Sequence, residues 1–430
     1  MKKVFLLVLT LLLNISFLYA QNSSVDISKN EIERFVHVLA SDSLQGRKIF
    51  TPGIQKAANL ISTEFEKIGL KKWDNLDSYY QAFNLQTIEP KKIDVLWNGN
   101  KISKDNILEL SVQKKIHWRD NQKLQVDKIA NVQEFKEHFR SYLNSEKDRL
   151  VWIDENLKKI FFNLKGYFSG QPGFSNKPNV VFVLAKNPPK KFNIQIENKV
   201  IKQKTANLVG YLPGTEKPDE YVIFSSHYDH LGIDTSLEGD QIYNGANDDA
   251  SGTAAVMALA KYFKKQGGNA RSLIFVTFTG EEEGGYGSKY FSRQLDPEKI
   301  VAMFNIEMIG TPAKWGENTA YITGFNKSSF GKILQKNLQS SDFSFHPDPY
   351  PNQHLFYRSD NATLARLGVP AHTISTAKMK NEPHYHKVSD EINTVDFDNM
   401  AQIIKAIAIS SRSIISGEDT PSRVAPTSLR

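Results

Sequence analysis

From about Thr205 onward the chain reads as an α/β fold, a mixed and largely parallel central sheet with helices on both faces. Three observations predict it. Apolar runs such as "YVIFSS", "SLIFVTFT", "VAMFNI" and "VPAHTIST" have the composition of strands. They alternate with helical segments, "SGTAAVMALAKYFKK", "FGKILQKNLQ" and "FDNMAQIIKAIAISSRSII", and such alternation means a parallel sheet covered on both sides. Polar clusters follow several of the strands at once, where open sheets of this type form their sites.

The elements can be justified in order. "MKKVFLLVLTLLLNISFLYAQNSS" has a basic start, an apolar run from Val4 to Leu18 and a small residue at Ala20. It reads as a secretory signal peptide over residues 1–20, since the run is short for a membrane span and lacks a basic stop-transfer flank. Residues 21–83 hold two helices, "SKNEIERFVHVLASDSLQGR" and "TPGIQKAANLISTEFEKIGL", with Thr51 as N-cap and Pro52 at the first position of the second. Residues 84–200 change to short alternating runs broken by Asn, Lys, Gly and Pro, a β-rich stretch that reads as a structural insert or lid. The core occupies 201–416, and 417–430 is expected to be a loose tail.

Composition narrows the function. The 430 residues carry a net charge of +7, spread without a basic, aromatic-interleaved stripe, which argues against nucleic acid as a partner. There is no cysteine. Disulfides, a thiol nucleophile, thiolate ligands and attachment of a lipid through cysteine are therefore all excluded. Export to a periplasm or beyond, without stable membrane insertion once the leader is removed, fits this composition. Oligomeric state is not legible.

Five clusters carry chemistry. "SSHYDHLG" places His227 and Asp229 directly after a strand, and "NGANDDASGT" places Asp248 and Asp249 in a tight turn before a helix. "GEEEGGYGS" sets Glu281, Glu282 and Glu283 side by side, "NIEMIG" ends a strand at Glu307, and "PHYHKVSDEI" holds His384 and His386. Singly each has a plain structural reading: a histidine that is hydrogen-bonded, or an aspartate that caps a helix. Adjacent glutamates at a strand mouth repel one another and raise each other's pKa, unless cations face them. Imidazole and carboxylate without thiolate suit zinc, with manganese or cobalt as competitors. The donors exceed what one zinc with an open position needs, which points to two ions sharing a carboxylate.

These motifs, in this order over roughly 205–415, resemble metallopeptidase family 28: secreted di-zinc aminopeptidases and their glutamate-carboxypeptidase and glutaminyl-cyclase relatives. "LASDSLQGR" and the helix after it resemble the family's opening helices, and 84–200 occupies the place where many members carry a protease-associated domain, of which it would be a degenerate form. The resemblance implies a zinc-exopeptidase-like α/β/α sandwich acting on peptides. By that likeness His227 and Glu307 would bind one Zn2+, Glu282 and His386 the other, and Asp248 would bridge them, with a cis Asp248–Asp249 peptide. Glu281 would be the general base, Tyr385 an oxyanion donor, and Asp229 and Asp249 supports behind the ligands. Glu307 stands where the family more often has aspartate. His386 is preferred to His384 because it alone fits the family's "YH…SD" pattern, and Glu283 is expected to be a solvated carboxylate. His230, His354 and His372 read as structural. An aminopeptidase is the expected activity. The alternatives are a carboxypeptidase or dipeptidase, then a glutaminyl cyclase, which His227 argues against, then a metal-free binding domain.

Overall fold

The computed structural model describes residues 26–73, 76–143 and 145–425. The signal peptide read at 1–20 lies outside the described residues. The chain forms two compact units, one from the described residues up to Gln81 together with Asn207 onward, the other from Ala82–Ala206.

The first unit is built on β1 (207–212), β2 (Lys217–His227), β3 (Arg271–Phe278), β4 (Ile300–Ile306), β5 (Thr319–Ile322), β6 (Ser344–Pro347) and β7 (Ala371–Ser375). Their order across the sheet is β6-β5-β7-β4-β2-β3-β1. β2 runs parallel to both β3 and β4, and β4 parallel to β7, whereas β1 is antiparallel to β3 and β5 to β7. Every residue of β3 and β4 is buried, as strands covered on both faces must be.

Register sorts the side chains. Ile223 lies opposite Ile274 and Met303, and Phe224 opposite Phe275 and Phe304. Because neighbours along a strand face opposite ways, two cores result. The Phe224 ring stacks between Phe275 and Phe304, at centroid distances of 5.6 and 5.0 Å. Over them pack α1 (Lys29–Leu39), α2 (Pro52–Ile68), α3 (Gly252–Gln266), α5 (Phe330–Leu338) and α6 (Phe397–Ser410). The other face collects Ile223, Ile274, Met303, Val369 and Val424 with Phe291 of α4 (Tyr286–Ser292).

Local chemistry sets the helix ends. The Ser28 side chain accepts from the Glu31 amide before α1, whose Ile32, Phe35, Val36 and Leu39 form its buried stripe. Pro52 opens α2, and Gly69, at φ +75°, closes it in the left-handed conformation that glycine adopts without strain.

The second unit holds the stretch expected to be β-rich. It also contains two helices, Val132–Leu143 and Lys158–Phe168, which alternate with the parallel strands Gln125–Ile129, Arg149–Asp154 and Val180–Ala185. Ile107–Leu110 adds to Val180–Ala185 antiparallel. Phe135, Phe139 and Tyr142 recur at helical spacing, Phe139 and Tyr142 against Phe182 and Phe135 stacked on Phe139, a periodicity that identifies the first helix.

One expectation is corrected. Residues 417–425 are docked, not loose. Val424 is buried, its amide donates to Gly368, and the guanidinium of Arg423 donates to the carbonyls of Pro297 and Ile300. The buried Arg271 reaches the Asp419 carbonyl and the Thr420 hydroxyl. Cutting Val424 back to alanine removes two buried carbons and opens a void, so Val424→Ala should lower unfolding free energy by about 2 kcal/mol, measured by urea denaturation.

Candidate metal centre

The chain order places a topological switch at β2, since β3 is added on one side and β4 on the other. The C-terminal ends of these three strands carry the polar clusters. His227 is the last residue of β2, Glu281 and Glu282 follow β3 after Thr279 and Gly280, and Glu307 follows β4 directly. Asp248 and Asp249 lie in the distorted turn leading into α3, joined by a cis peptide bond. His386 comes from the loop after β7, with φ +55°, a conformation that a non-glycine residue holds only when its surroundings fix it.

Asp248 is the centre of the group. One carboxylate oxygen lies 3.2 Å from His227 Nε2 and the other 3.3 Å from His386 Nε2. Glu282 Oε2 is 3.1 Å from the same His386 nitrogen. Ligand atoms of His227, Asp248 and Glu307 all lie within 4.8 Å of one another, as do those of His230, Asp248 and Glu282. Buried Nε2 of His227 and Oε2 of Glu307 have no hydrogen-bond partner. Such orphaned donor atoms, all nitrogen or carboxylate oxygen, are what a zinc-type ion would satisfy. The longer Glu307 side chain still brings an oxygen to the cluster.

The supports behind these atoms are specific. His227 Nδ1 lies 3.2 Å from the Asp229 carbonyl, which can only accept. Neutral His227 therefore carries its proton on Nδ1 and offers the Nε2 lone pair inward. Asp229's carboxylate accepts the amides of Glu281 and Glu282, pinning the turn that carries both. The Asp249 carboxylate accepts amides from His227, Gly252 and Met308, tying the ends of β2 and β4 to the start of α3.

Charge balance follows from burial. Asp249 and Glu281 are pushed well above the usual carboxylate range by burial, and Glu307 is raised to about 7, by burial first and also by the charge of Asp248. Asp248 is held well below its ordinary value although burial opposes this, because the His227 and His386 imidazoles lie against its two oxygens. Against its own burial cost, His386 is raised to about 10 by Asp248 and Glu282. The protons drawn onto these imidazoles occupy the place where a dication would bind.

Most residues singled out in the sequence meet here. Tyr385 stacks on His386 at 3.9 Å and lines a cavity beside Glu307 with Met308, Tyr321, Leu355, Arg358 and Met379. His384 does not join the cluster and bonds instead to Ser389. Glu283 pairs with Lys48 at 3.2 Å, so it is partnered rather than simply solvated. His372 is structural, bonded through both nitrogens to Ser328 and the Thr323 carbonyl.

His230, read as structural, is instead part of the cluster. Its Nδ1 is 2.9 Å from Glu282 Oε1. Three other residues went unassigned. Asp390 accepts the amides of Asn247 and Asp248, the role the "SD" of "YH…SD" signals. Asp360, whose charge bears on Glu281, is raised to about 7 by burial. Arg47, the last residue of "LQGR", is fully buried, and its guanidinium donates to the carbonyls of Leu39, Tyr228, Asn244 and Gly245.

These features define an α/β protein with a candidate metal centre at its strand ends. Residues 207–410 match peptidase family M28. A probable leucine aminopeptidase of Trichophyton verrucosum is 26% identical over 208 residues, 46% of this chain and 54% of that protein. A probable zinc metalloprotease of Pyricularia oryzae is 40% identical over 111 residues, 25% of this chain and 22% of that one. The chain thus spans about half the length of the first relative and less of the second. An aminopeptidase from Aneurinibacillus sp. strain AM-1 has a similar fold, with TM-score 0.55 and 15% identity over 93% of this chain and 96% of that one. A zinc aminopeptidase from Bacillus subtilis gives 0.55 and 14% over 92% and 97%. At these identities the two structures bear on fold alone.

Arg47→Met would leave four carbonyls without their charged donor. It should lower stability by about 3 kcal/mol or more, read from guanidinium denaturation of the full chain.

Proposed function

We propose that this chain is an exported zinc-dependent exopeptidase that removes residues from the N-terminus of peptides. One observation carries the reading: the two oxygens of Asp248 face two different imidazoles, 3.2 Å from His227 Nε2 and 3.3 Å from His386 Nε2. A carboxylate placed this way serves two ions. His227 and Glu307 would hold one Zn2+, Glu282 and His386 the other, and Asp248 would bridge them, with Mn2+ or Co2+ as substitutes. The zinc pair, when bound, supplies Lewis acidity and lowers the pKa of water toward neutrality.

The chain's own groups divide the remaining work. Glu281 accepts the proton of the attacking water and returns it to the departing amine. Its neighbour Glu282 turns toward His386, so adjacent glutamates serve different partners. Tyr385 donates its hydroxyl to the oxygen that gains charge at the scissile carbonyl. The cavity beside Glu307 receives the side chain of the terminal residue, with Met308, Leu355 and Met379 as its apolar wall. Export is supported by the leader read at 1–20 and by the absence of cysteine. Among the described residues no helix is long and apolar enough to cross a membrane.

The test is mass spectrometry of a peptide pool, each peptide supplied free and N-acetylated, incubated with the mature protein and zinc. Ladders from the free N-terminus, missing in the acetylated set, are expected. Shortening from the C-terminus would make the protein a carboxypeptidase, and loss of ammonia from N-terminal glutamine a cyclase. No change in any peptide, with no bound zinc, would leave a binding domain. Glu281→Gln should reduce kcat by at least about 10²–10⁴-fold while bound zinc stays near wild type, and loss of the zinc instead would reverse the roles of base and ligand.

A further inference from the structure

We propose that His230 is a positioning residue for the metal pair, its Nδ1–H holding one oxygen of Glu282 so that the other is presented beside His386 and Asp248. The proposal rests on the zinc reading above and assigns a role to a residue outside that ligand set. Its Nδ1 lies 2.9 Å from Glu282 Oε1, while Oε2 of the same carboxylate is 3.1 Å from His386 Nε2. The nearest Asp248 oxygen is 4.0 Å from Nδ1, beyond hydrogen-bond range. Nδ1 therefore has one partner, and the two oxygens of Glu282 are divided between two imidazoles.

The other ring nitrogen separates positioning from direct ligation. Nε2 of His230 is buried and has no hydrogen-bond partner. If Nδ1 bound an ion, the ring proton would move to Nε2 and become a buried N–H with no acceptor, the rarer kind of orphaned group. With the proton on Nδ1, the ring donates where an acceptor stands and leaves only a bare lone pair behind.

The ring is also confined. Gly245 passes so close that a Cβ there would come within 2.6 Å of His230 Cδ2, and Tyr243 meets the ring edge-on, centroids 6.5 Å apart. The His230 amide donates to the Arg47 carbonyl at 3.3 Å. A donor fixed in this way holds Glu282 from the side-chain end, while Asp229 holds its amide. Ligand carboxylates that are themselves hydrogen-bonded lose affinity for their ion when the outer partner is removed.

The experiment is a Zn2+ titration of the metal-depleted full chain, by calorimetry and chelator competition, on wild type, His230→Asn and His230→Ala, with thermal melts of each metal-depleted protein. Asparagine places an amide N–H close to the position of Nδ1. His230→Ala is expected to keep one ion and bind the second about 10–100-fold more weakly, whereas His230→Asn stays within about threefold of wild type. Equal loss in both variants would overturn the proposal in favour of direct ligation. Unchanged zinc binding in both, with only the melting temperature lowered, would overturn it in favour of a structural histidine. Wild type that binds no zinc would sink the metal reading itself, an outcome distinct from either.

Discussion

The centre of this protein depends on the burial of more carboxylates than its own cations can neutralise. Asp229, Asp248, Asp249, Glu281, Glu282 and Glu307 converge where β2, β3 and β4 end, all in a low-dielectric environment. The chain manages them in two ways. Some are turned toward backbone: Asp229 and Asp249, like the neighbouring Asp390, accept amides from the segments that present the other donors. Asp248 and Glu282 are set against imidazoles, and the protons drawn onto His227 and His386 mark where stronger cations would be accommodated.

This division explains why the surrounding loops are so heavily cross-tied. Arg47 gathers carbonyls from α1 and from the two segments that carry the Tyr228 and Asn244 stretches, and Asp390 reaches across to the turn that holds Asp248. A ligand held from one end only would swing, and an ion site built from swinging groups binds weakly. The acidic side chains used as fasteners are in this sense as much a part of the site as those facing its middle. Sequence adjacency also has a function here. Glu281 and Glu282 share an anchor in the Asp229 carboxylate, yet only Glu282 is turned to His230 and His386.

The fold class was readable because burial on both faces imposes a local signature, namely apolar strands alternating with helices. The positions of His227 and Glu307 followed from their place at strand ends. The two helices of the 82–206 unit were missed although "VQEFKEHFRSYL" carries helical periodicity, because its short strands and frequent Lys and Asn dominated the reading. The 417–425 stretch was misjudged for a different reason. Its polar composition says nothing of Val424, which is buried only because the chain returns to the sheet face near Gly368.

By itself, the sequence determined the donor inventory of this protein: imidazole and carboxylate without thiol, set at the ends of parallel strands in an order that resembles one peptidase family. That is so because strand, turn and residue chemistry are local properties. Tertiary structure alone decided which donors share an ion site and which hold them in place. His230 and Glu282 are separated by 52 residues in the chain and meet at 2.9 Å, and Arg47 and Gly245, separated by 198, are joined through one guanidinium. Such pairings depend on the register of the sheet and the path of loops between strands, and no local pattern records them.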